Sequence, residues 1–177
     1  EPLIDLLGTD KRFDIFHSTS NEIPNQEYEL CSSILRKKPG VFIEAKTEKI
    51  RQEKIKKLDL NFFICGWSRY DIDKYVTRKT IVGMIYHGIG IKPSYWLDNH
   101  QRLNLRFVEG EYRVNQLQQK GIDTRLELTG FIKLDPIFQK NKIDISSLKQ
   151  KYNLDPSKKT ILFAPTFYPS SVEPIGM

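Results

Sequence analysis

One short segment holds the residue types that acid–base and phosphate chemistry need. His87, Gly88, Gly90 and Lys92 come directly after the apolar run Thr80–Tyr86. An imidazole, with an ordinary pKa of about 6.5, suits removal of a proton from a hydroxyl. The glycines let the backbone approach a ligand, and the lysine ammonium can hold a phosphate. The segment predicts a general base beside a phosphate site, with a histidine that only caps a strand end as the alternative.

Two further segments present polar groups after apolar runs. Gly130, Lys133 and Asp135 follow one run, and Thr166 follows the last run of the chain. Open α/β sheets bind ligands at the carboxyl ends of their strands, so these residues are predicted to contact substrate or phosphate. The alternatives are an interdomain linker around Gly130 and an ordinary strand exit at Thr166.

The elements that must position these segments are apolar runs that alternate with helical stretches. Several runs are continuous, as expected for strands covered on both faces. The pattern predicts an α/β, Rossmann-like, doubly wound and mostly parallel sheet with helices on both faces. The predicted strands are Phe13–Phe16, Val41–Ile43, Asn61–Cys65, Thr80–Tyr86, Leu105–Val108, Arg125–Thr129 and Thr160–Ala164, and the helices are Gln26–Leu35, Lys46–Leu58, Ile72–Val76, Tyr112–Lys120 and Ile143–Tyr152.

The domain organisation is inferred from the two edges of this pattern. Residues 1–7 read as the end of a helix, and the run Thr160–Ala164 is followed only by a proline-containing segment. A strand with nothing to cover it is a poor end for a domain. We therefore expect one domain at 1–140, a linker helix at 141–157, and the start of a second, truncated domain at 158–177.

Composition excludes some functions and favours others. The chain has 177 residues, 39% hydrophobic content and a net charge of +6. It has no apolar run near the roughly 20 residues that cross a bilayer. The positive charge favours phosphorylated substrates or an anionic membrane surface. Basic residues cluster at 36–38 and 46–57, and the second cluster is predicted to be a helix that either contacts a membrane or forms a solvated face.

Nucleic acid is not an expected partner, because the aromatic residues mostly lie in or beside the predicted strands rather than among the basic residues. Cys31 and Cys65 have no metal-ligand spacing, so two buried thiols in a reducing cytosol are expected.

The order of the three segments resembles the CDP-glycerol glycerophosphotransferase family, the teichoic-acid polymerases and primases. In that family a Trp-His-Gly-Thr-Pro-x-Lys loop, a Thr-Gly-x-Pro-Arg-x-Asp turn and a Tyr-Ala-Pro-Thr-Phe strand end follow one another. Here residues 86–92 read Tyr-His-Gly-Ile-Gly-Ile-Lys, residues 129–135 read Thr-Gly-Phe-Ile-Lys-Leu-Asp, and residues 163–167 read Phe-Ala-Pro-Thr-Phe. The likeness spans about residues 60–168.

Departures from the family pattern fall in loops that would shape the substrate pocket. Tyr86 stands for the tryptophan, Ile89-Gly90 for Thr-Pro and Ile132-Lys133 for Pro-Arg, and Tyr168 stands where the family often has arginine. They leave the histidine and lysine in place and leave the donor and acceptor open.

The resemblance implies the N-terminal half of a GT-B transferase, with its active site in a cleft between two Rossmann-like domains. His87 would deprotonate an acceptor hydroxyl and Lys92 would hold a phosphate. The donor would be CDP-glycerol or a nucleotide sugar, and the acceptor a lipid-linked or polymeric hydroxyl at the cytoplasmic face of the cell membrane. The function would be cell-envelope polymer synthesis, and neither a cofactor nor a metal is expected.

Other readings stay open. Another GT-B enzyme, either a sugar transferase or a UDP-sugar 2-epimerase, would show the same alternation of strands and loops. The epimerase needs catalytic carboxylates, for which Asp98 and Glu109 are the candidates. A non-catalytic, basic Rossmann-like binding domain is the third reading.

Overall fold

The computed structural model describes residues 2–66, 71–86, 88, 102–138 and 144–162. Its helices and strands alternate along the chain. The α-helices are α1 (Pro2–Leu7), α2 (Asn25–Leu35), α3 (Glu48–Lys57), α4 (Glu111–Gln119), α5 (Asp135–Phe138) and α6 (Ile145–Lys151), and the strands are β1 (Phe16–His17), β2 (Val41–Phe42), β3 (Phe62–Cys65), β4 (Ile81–Ile85), β5 (Leu105–Val108) and β6 (Arg125–Leu128). Single 3-10 turns lie at Ile72–Lys74 and Ile132–Leu134.

All strand pairs in the described residues are parallel. Strands β1 and β2 form a two-stranded sheet, and the other four form a sheet in the order β3-β4-β5-β6. Parallel neighbours need crossover connections; α4 lies between β5 and β6, and the 3-10 turn at Ile72–Lys74 lies between β3 and β4. The predicted α/β class with parallel strands is confirmed, and the arrangement is Rossmann-like.

Three details of the predicted pattern are wrong. The first strand lies at Phe16–His17 rather than Phe13–Phe16, and it pairs with β2 instead of joining the larger sheet. The segment Ile72–Val76 is a single 3-10 turn at Ile72–Lys74 rather than an α-helix. The other predicted strands and helices before residue 138 agree with the structure to within two residues at each end.

The main core lies against one face of the four-stranded sheet. Val82, Met84 and Val108 point to this face, where α3, α4 and the 3-10 turn at 72–74 cover them with Ile55, Leu117 and Ile72. On the opposite face, Gly83 lies between two rings, since a Cβ there would stand 3.1 Å from Phe62 and 3.0 Å from Phe107. Side chains alternate between the faces of a strand, so the apolar runs fix which residues enter the core.

The end of α4 is determined locally. Gly121 has a φ of +72°, a left-handed conformation that glycine adopts without a steric penalty. The N–H of Ile122 then donates to the carbonyl of Leu117 at 3.1 Å and closes the last turn. The predicted stop at Gly121 is confirmed.

The chain divides into two compact units, Glu1–Phe138 and Gln139–Met177. Within the second unit, Asp144 caps α6 by accepting from the backbone N–H groups of Ser146 and Ser147 at 3.0 and 3.2 Å. Lys149 donates from the same helix to the carbonyls of Pro156 and Lys158.

The strand predicted at Thr160–Ala164 is not formed in its described part. Residues 160–162 have no regular secondary structure, and Ile161 and Leu162 are 93% and 85% exposed. A strand needs a partner to pair its backbone groups, and the described residues offer none to this segment. Its last two residues lie outside the described ranges.

A buried ion pair in the first unit joins parts of the chain that come from different sheets. The Glu48 carboxylate at the start of α3 accepts from Arg51 and from the hydroxyl of Tyr75, the latter at 2.6 Å. It also accepts from the hydroxyl of Ser20 and the backbone N–H of Asn21, which follow β1, at 3.1 and 2.9 Å. Because Tyr75 follows β3, one carboxylate connects α3 to segments that follow β1 and β3.

These contacts lower the pKa of the Glu48 carboxyl group. Burial alone would raise it, but hydrogen bonds from Arg51, Tyr75 and the N–H of Asn21 outweigh burial and lower the pKa to about 2. Burial, followed by the bond to Glu48, raises the pKa of Tyr75. The carboxyl group of Glu48 is therefore ionised in the folded protein.

Glu48→Ala should lower the free energy of unfolding by about 3 kcal/mol, because the Arg51 guanidinium would stay buried without its carboxylate. The side chains of Glu48 and Arg51 are only 10% and 8% exposed. Urea denaturation followed by circular dichroism measures the change. Glu53→Ala on the exposed side of the same helix is the matched control and should stay within about 0.5 kcal/mol of the parent. Equal effects of the two substitutions would contradict the assigned role.

The contribution of Glu48 should also depend on pH in one direction. Its folded-state pKa of about 2 lies below its ordinary value of 4.5, so the stabilisation is complete above about pH 4.5 and is lost as the pH falls toward 2. Glu48→Gln removes this titration. The difference in unfolding free energy between parent and variant should therefore shrink on acidification, and a difference that is constant from pH 6 to pH 2 would contradict the assignment.

Candidate active site at the carboxyl edge of the sheet

The carboxyl ends of β4, β5 and β6 lie side by side at one edge of the sheet, because the three strands are parallel neighbours. Tyr86 and Gly88 follow β4, and Gly130 follows β6. Neighbouring strands are about 4.8 Å apart, so the segments after β4 and β6 leave this edge roughly 10 Å from each other. The sheet thus brings Gly88 of the first predicted segment and Gly130 of the second to the same edge, which is where open α/β sheets bind ligands.

The second predicted segment turns as the sequence indicated. Gly130 has a φ of +80° and turns the chain out of β6. Lys133 lies in the 3-10 turn at 132–134, and Asp135 begins α5. Both residues are exposed, as contact with a ligand would require.

Gly88 is half-buried, and its φ lies outside the left-handed region. Among the residues that the structure describes, none would lie within 4 Å of a Cβ at this position. The other predicted site residues, His87, Gly90, Lys92 and Thr166, lie outside the described residues.

A fully buried arginine supports the end of β4. Arg106 of β5 is 0% exposed, and its Nη1 donates to the hydroxyl of Tyr86 at 3.1 Å. The ring of Tyr86 is also buried, and the guanidinium of Arg113 lies 6.0 Å from its centre. Tyr86, the residue immediately before His87 in the sequence, is therefore fixed by groups from both β5 and α4.

Glu109 and Arg113 form a second contact at this edge. Nε of Arg113 donates to Oε1 of Glu109 at 2.8 Å, and its Nη1 donates to the side-chain oxygen of Gln116 at 2.6 Å. The side chains of Arg113 and Glu109 are 7% and 14% exposed. Glu109 directly follows β5, so this buried pair lies between the ends of β4 and β6.

Sequence reasoning missed this cluster of Tyr86, Arg106, Glu109 and Arg113, although two signals were present. Arg106 interrupts an apolar strand, and a buried charge is rare unless it has a partner. Glu109 and Arg113 are four residues apart, the spacing at which opposite charges pair on a helix. The pairing with Tyr86 crosses from one strand to the next and has no signature in local sequence.

The described members of the cluster carry two guanidinium groups, on Arg106 and Arg113, and one carboxylate, on Glu109. All three side chains are largely buried, and the pair of Arg113 with Glu109 lies beside the bond from Arg106 to Tyr86.

Other described parts of the molecule give weaker support for a functional site. A cavity of about 230 Å³, lined by Gly8, Pro39 and neighbouring residues, lies where β1 and β2 begin, away from the carboxyl edge. The described residues contain no group of three or more His, Cys, Asp or Glu side chains that could hold a metal ion.

Cys65 is buried as expected, whereas Cys31 is half-buried, which corrects the expectation of two buried thiols.

The basic helix α3 is less available to a membrane than its sequence suggested. Lys54 donates to the carbonyl of Glu44 at 2.7 Å, and Lys56 donates to that of Asp73 at 2.8 Å. Arg51, counted among its basic face, is buried in the pair with Glu48. Among the residues that the structure describes, no helix is long and apolar enough to cross a membrane.

Comparisons with known proteins give no relative for this chain: no family model, no curated protein and no solved structure matches it.

Tyr86→Phe should lower the free energy of unfolding by about 1 to 2 kcal/mol, because the fully buried Arg106 would lose a hydrogen bond that nothing of the same shape replaces. Tyr112→Phe is the matched control, since the Tyr112 ring on α4 is 79% exposed. Thermal and urea denaturation of both variants measure the difference. A Tyr86→Phe variant as stable as the control would show that the hydroxyl does not support Arg106.

Proposed function

We propose that this chain is the acceptor-side part of a GT-B transferase similar to the CDP-glycerol glycerophosphotransferases. In this proposal it moves a glycerophosphoryl or glycosyl group from a nucleotide-activated donor to a hydroxyl of a lipid-linked or polymeric acceptor. The reaction would occur at the inner face of the cell membrane, in synthesis of a cell-envelope polymer. The donor-binding domain of such an enzyme would continue from the second unit of this chain.

The observation that carries the proposal is the shared edge of the sheet. The residues that flank His87 in sequence, Tyr86 and Gly88, follow β4, and the segment with Gly130 and Lys133 follows β6 two strands away. Two motifs of the resemblance that are more than 40 residues apart in the sequence therefore belong to one strand-end region. A chance likeness of short motifs would not require this.

The chemistry follows from the residue types. His87 takes the proton of the acceptor hydroxyl as the hydroxyl oxygen attacks, and Lys92 holds a phosphate of donor or acceptor in place. Among the described residues, none would lie within 4 Å of a Cβ on Gly88, which leaves room there for the ligand to approach the backbone.

A UDP-sugar 2-epimerase is less well supported. Its chemistry needs a carboxylate that reaches a sugar carbon, and Glu109 is the candidate at this edge. That carboxylate is paired with Arg113, its side chain is only 14% exposed, and its other oxygen is buried. The second candidate, Asp98, lies outside the described residues.

His87→Ala should lower kcat by about 10² to 10⁴ when the donor-binding domain is present, because a positioned general base contributes that much. The melting temperature should stay nearly unchanged. Lys92→Ala should instead raise KM for the phosphorylated substrate. Release of CMP from CDP-glycerol, with a glycerophosphate-primed acceptor, measures turnover.

His100→Ala provides the control of the same residue type and should keep full activity. Turnover that survives His87→Ala would reject the proposed base. Robust transferase activity from the 177 residues alone would reject the two-domain reading, in which this chain lacks its donor site.

A further inference from the structure

The loops that precede β3, β4 and β5 lie together at the amino edge of the four-stranded sheet, because these strands are parallel neighbours. Hydrogen bonds join the three loops. The hydroxyl of Thr80 donates to the carbonyl of Leu60 at 2.8 Å, and that of Thr77 donates to the carboxylate of Asp59 at 3.2 Å. Nη2 of Arg102 donates to the carbonyl of Thr77 at 3.0 Å. The loops therefore present their side chains on one surface.

Basic side chains outnumber acidic ones around these loops. The basic members are Lys56, Lys57, Lys74, Arg78, Lys79 and Arg102, and the acidic members are Asp59, Asp71 and Asp73. Asp71 pairs with Lys74 at 3.2 Å, and Asp73 pairs with Arg102 at 2.8 Å. In contrast, Lys57, Arg78 and Lys79 are exposed and form no ion pair with a carboxylate of the described residues. Three cations are thus left to interact with an anionic partner.

Two apolar side chains are exposed beside these cations. Phe62 and Ile81 begin β3 and β4 and are partners in the register of the sheet, so their side chains are neighbours. They are 40% and 48% exposed, and Lys79 lies two residues before Ile81. Exposed apolar groups next to unpaired cations are typical of a surface that contacts a lipid bilayer. The apolar groups enter the interfacial region, while the cations attract anionic head groups.

We propose that the amino-edge surface, formed by Lys57, Phe62, Arg78, Lys79 and Ile81, binds the anionic surface of a membrane. Its positive charge complements the negative charge of the lipid head groups, and its apolar pair gives a contact that charge alone would not provide. Ile81 favours lipid over nucleic acid, because bases stack on aromatic rings and an aliphatic side chain offers no such platform. The surface is separate from the outer face of α3, whose Lys54 and Lys56 bond to backbone carbonyls.

Binding at this surface determines how the candidate active site is oriented. The amino and carboxyl edges of the sheet are separated by the length of its strands, and the five residues of β4 span roughly 16 Å. The carboxyl edge therefore faces away from the lipid. This consequence rests on the proposed function: the acceptor hydroxyl that reaches the site belongs to the free end of a polymer rather than to a group beside its lipid anchor.

Co-sedimentation of the 177-residue chain with phospholipid vesicles tests the surface. The chain should bind vesicles of phosphatidylcholine mixed with phosphatidylglycerol, and should bind phosphatidylcholine alone much more weakly. The double variant Arg78→Gln, Lys79→Gln should bind the mixed vesicles roughly tenfold or more weakly, because each basic residue near an anionic surface adds to the attraction. Absence of binding to the mixed vesicles by the parent chain would overturn the proposal.

The matched control is the double variant Lys46→Gln, Lys49→Gln. Both lysines are exposed near the beginning of α3, at the opposite end of this helix from Lys57, and their replacement lowers the net charge by the same amount. This variant should keep most of the affinity. Equal losses in the two double variants would show that binding follows net charge alone, and would likewise overturn the proposal.

Ile81→Thr tests the apolar part of the contact. Threonine keeps a β-branched side chain that suits a strand, so the fold should be retained, which circular dichroism verifies. Affinity for the mixed vesicles should fall severalfold, and the loss should persist at high salt, because salt screens only the charged contacts. If a single-stranded oligonucleotide instead bound more tightly than the vesicles, and binding required Arg78 and Lys79, the partner would be nucleic acid and the proposal would be wrong.

Turnover separates this inference from the proposed function. With the donor-binding domain present, the double variant of Arg78 and Lys79 should lose activity on an acceptor embedded in mixed vesicles and keep its activity on a soluble acceptor of the same polymer. Vesicle binding that depends on Arg78 and Lys79, in a protein without transferase activity, would reject the proposed function and keep the membrane surface. Transferase activity in a protein that binds no vesicles would do the reverse.

Discussion

The buried carboxylate of Glu48 is the contact on which the arrangement of the first unit depends. It binds Arg51 within α3, the hydroxyl of Tyr75 after β3, and the N–H of Asn21 after β1. A buried carboxylate is tolerated when it is paired and hydrogen-bonded, and the bonds from Arg51, Tyr75 and Asn21 outweigh burial and lower the pKa of Glu48 to about 2. Since its partners come from segments that follow β1 and β3, it fixes the two-stranded sheet relative to the four-stranded one, and with it the edge where the strands end.

Buried charged side chains also lie at the edge where the strands end, but their hydrogen bonding differs from that of Glu48. Arg106, Arg113 and Glu109 are also buried charges, and each constrains the chain after β4 or β5. At Glu48 every strong donor is provided by described residues, whereas at Glu109 one carboxylate oxygen has no such donor.

The resemblance and the geometry contribute different parts of the functional argument. Short motifs supplied residue types, above all a histidine, a lysine and glycines after strands. The sheet supplied proximity, because β4, β5 and β6 are parallel neighbours and their ends meet. The proposed phosphate chemistry rests on these two contributions together.

The sequence by itself determined the α/β class, most of the element bounds and the ends of helices. Continuous apolar runs, helical spacing and glycines such as Gly121 act through neighbouring residues, so they can be read locally. The strand predicted at Thr160–Ala164 is absent from its described part, residues 160–162, because an apolar run becomes a strand only when another strand pairs with it. Only the tertiary structure decided the division into two sheets, the cross-strand bond between Arg106 and Tyr86, and the buried state of Glu109. Those features depend on which strands become neighbours, and contacts between residues distant in sequence decide that.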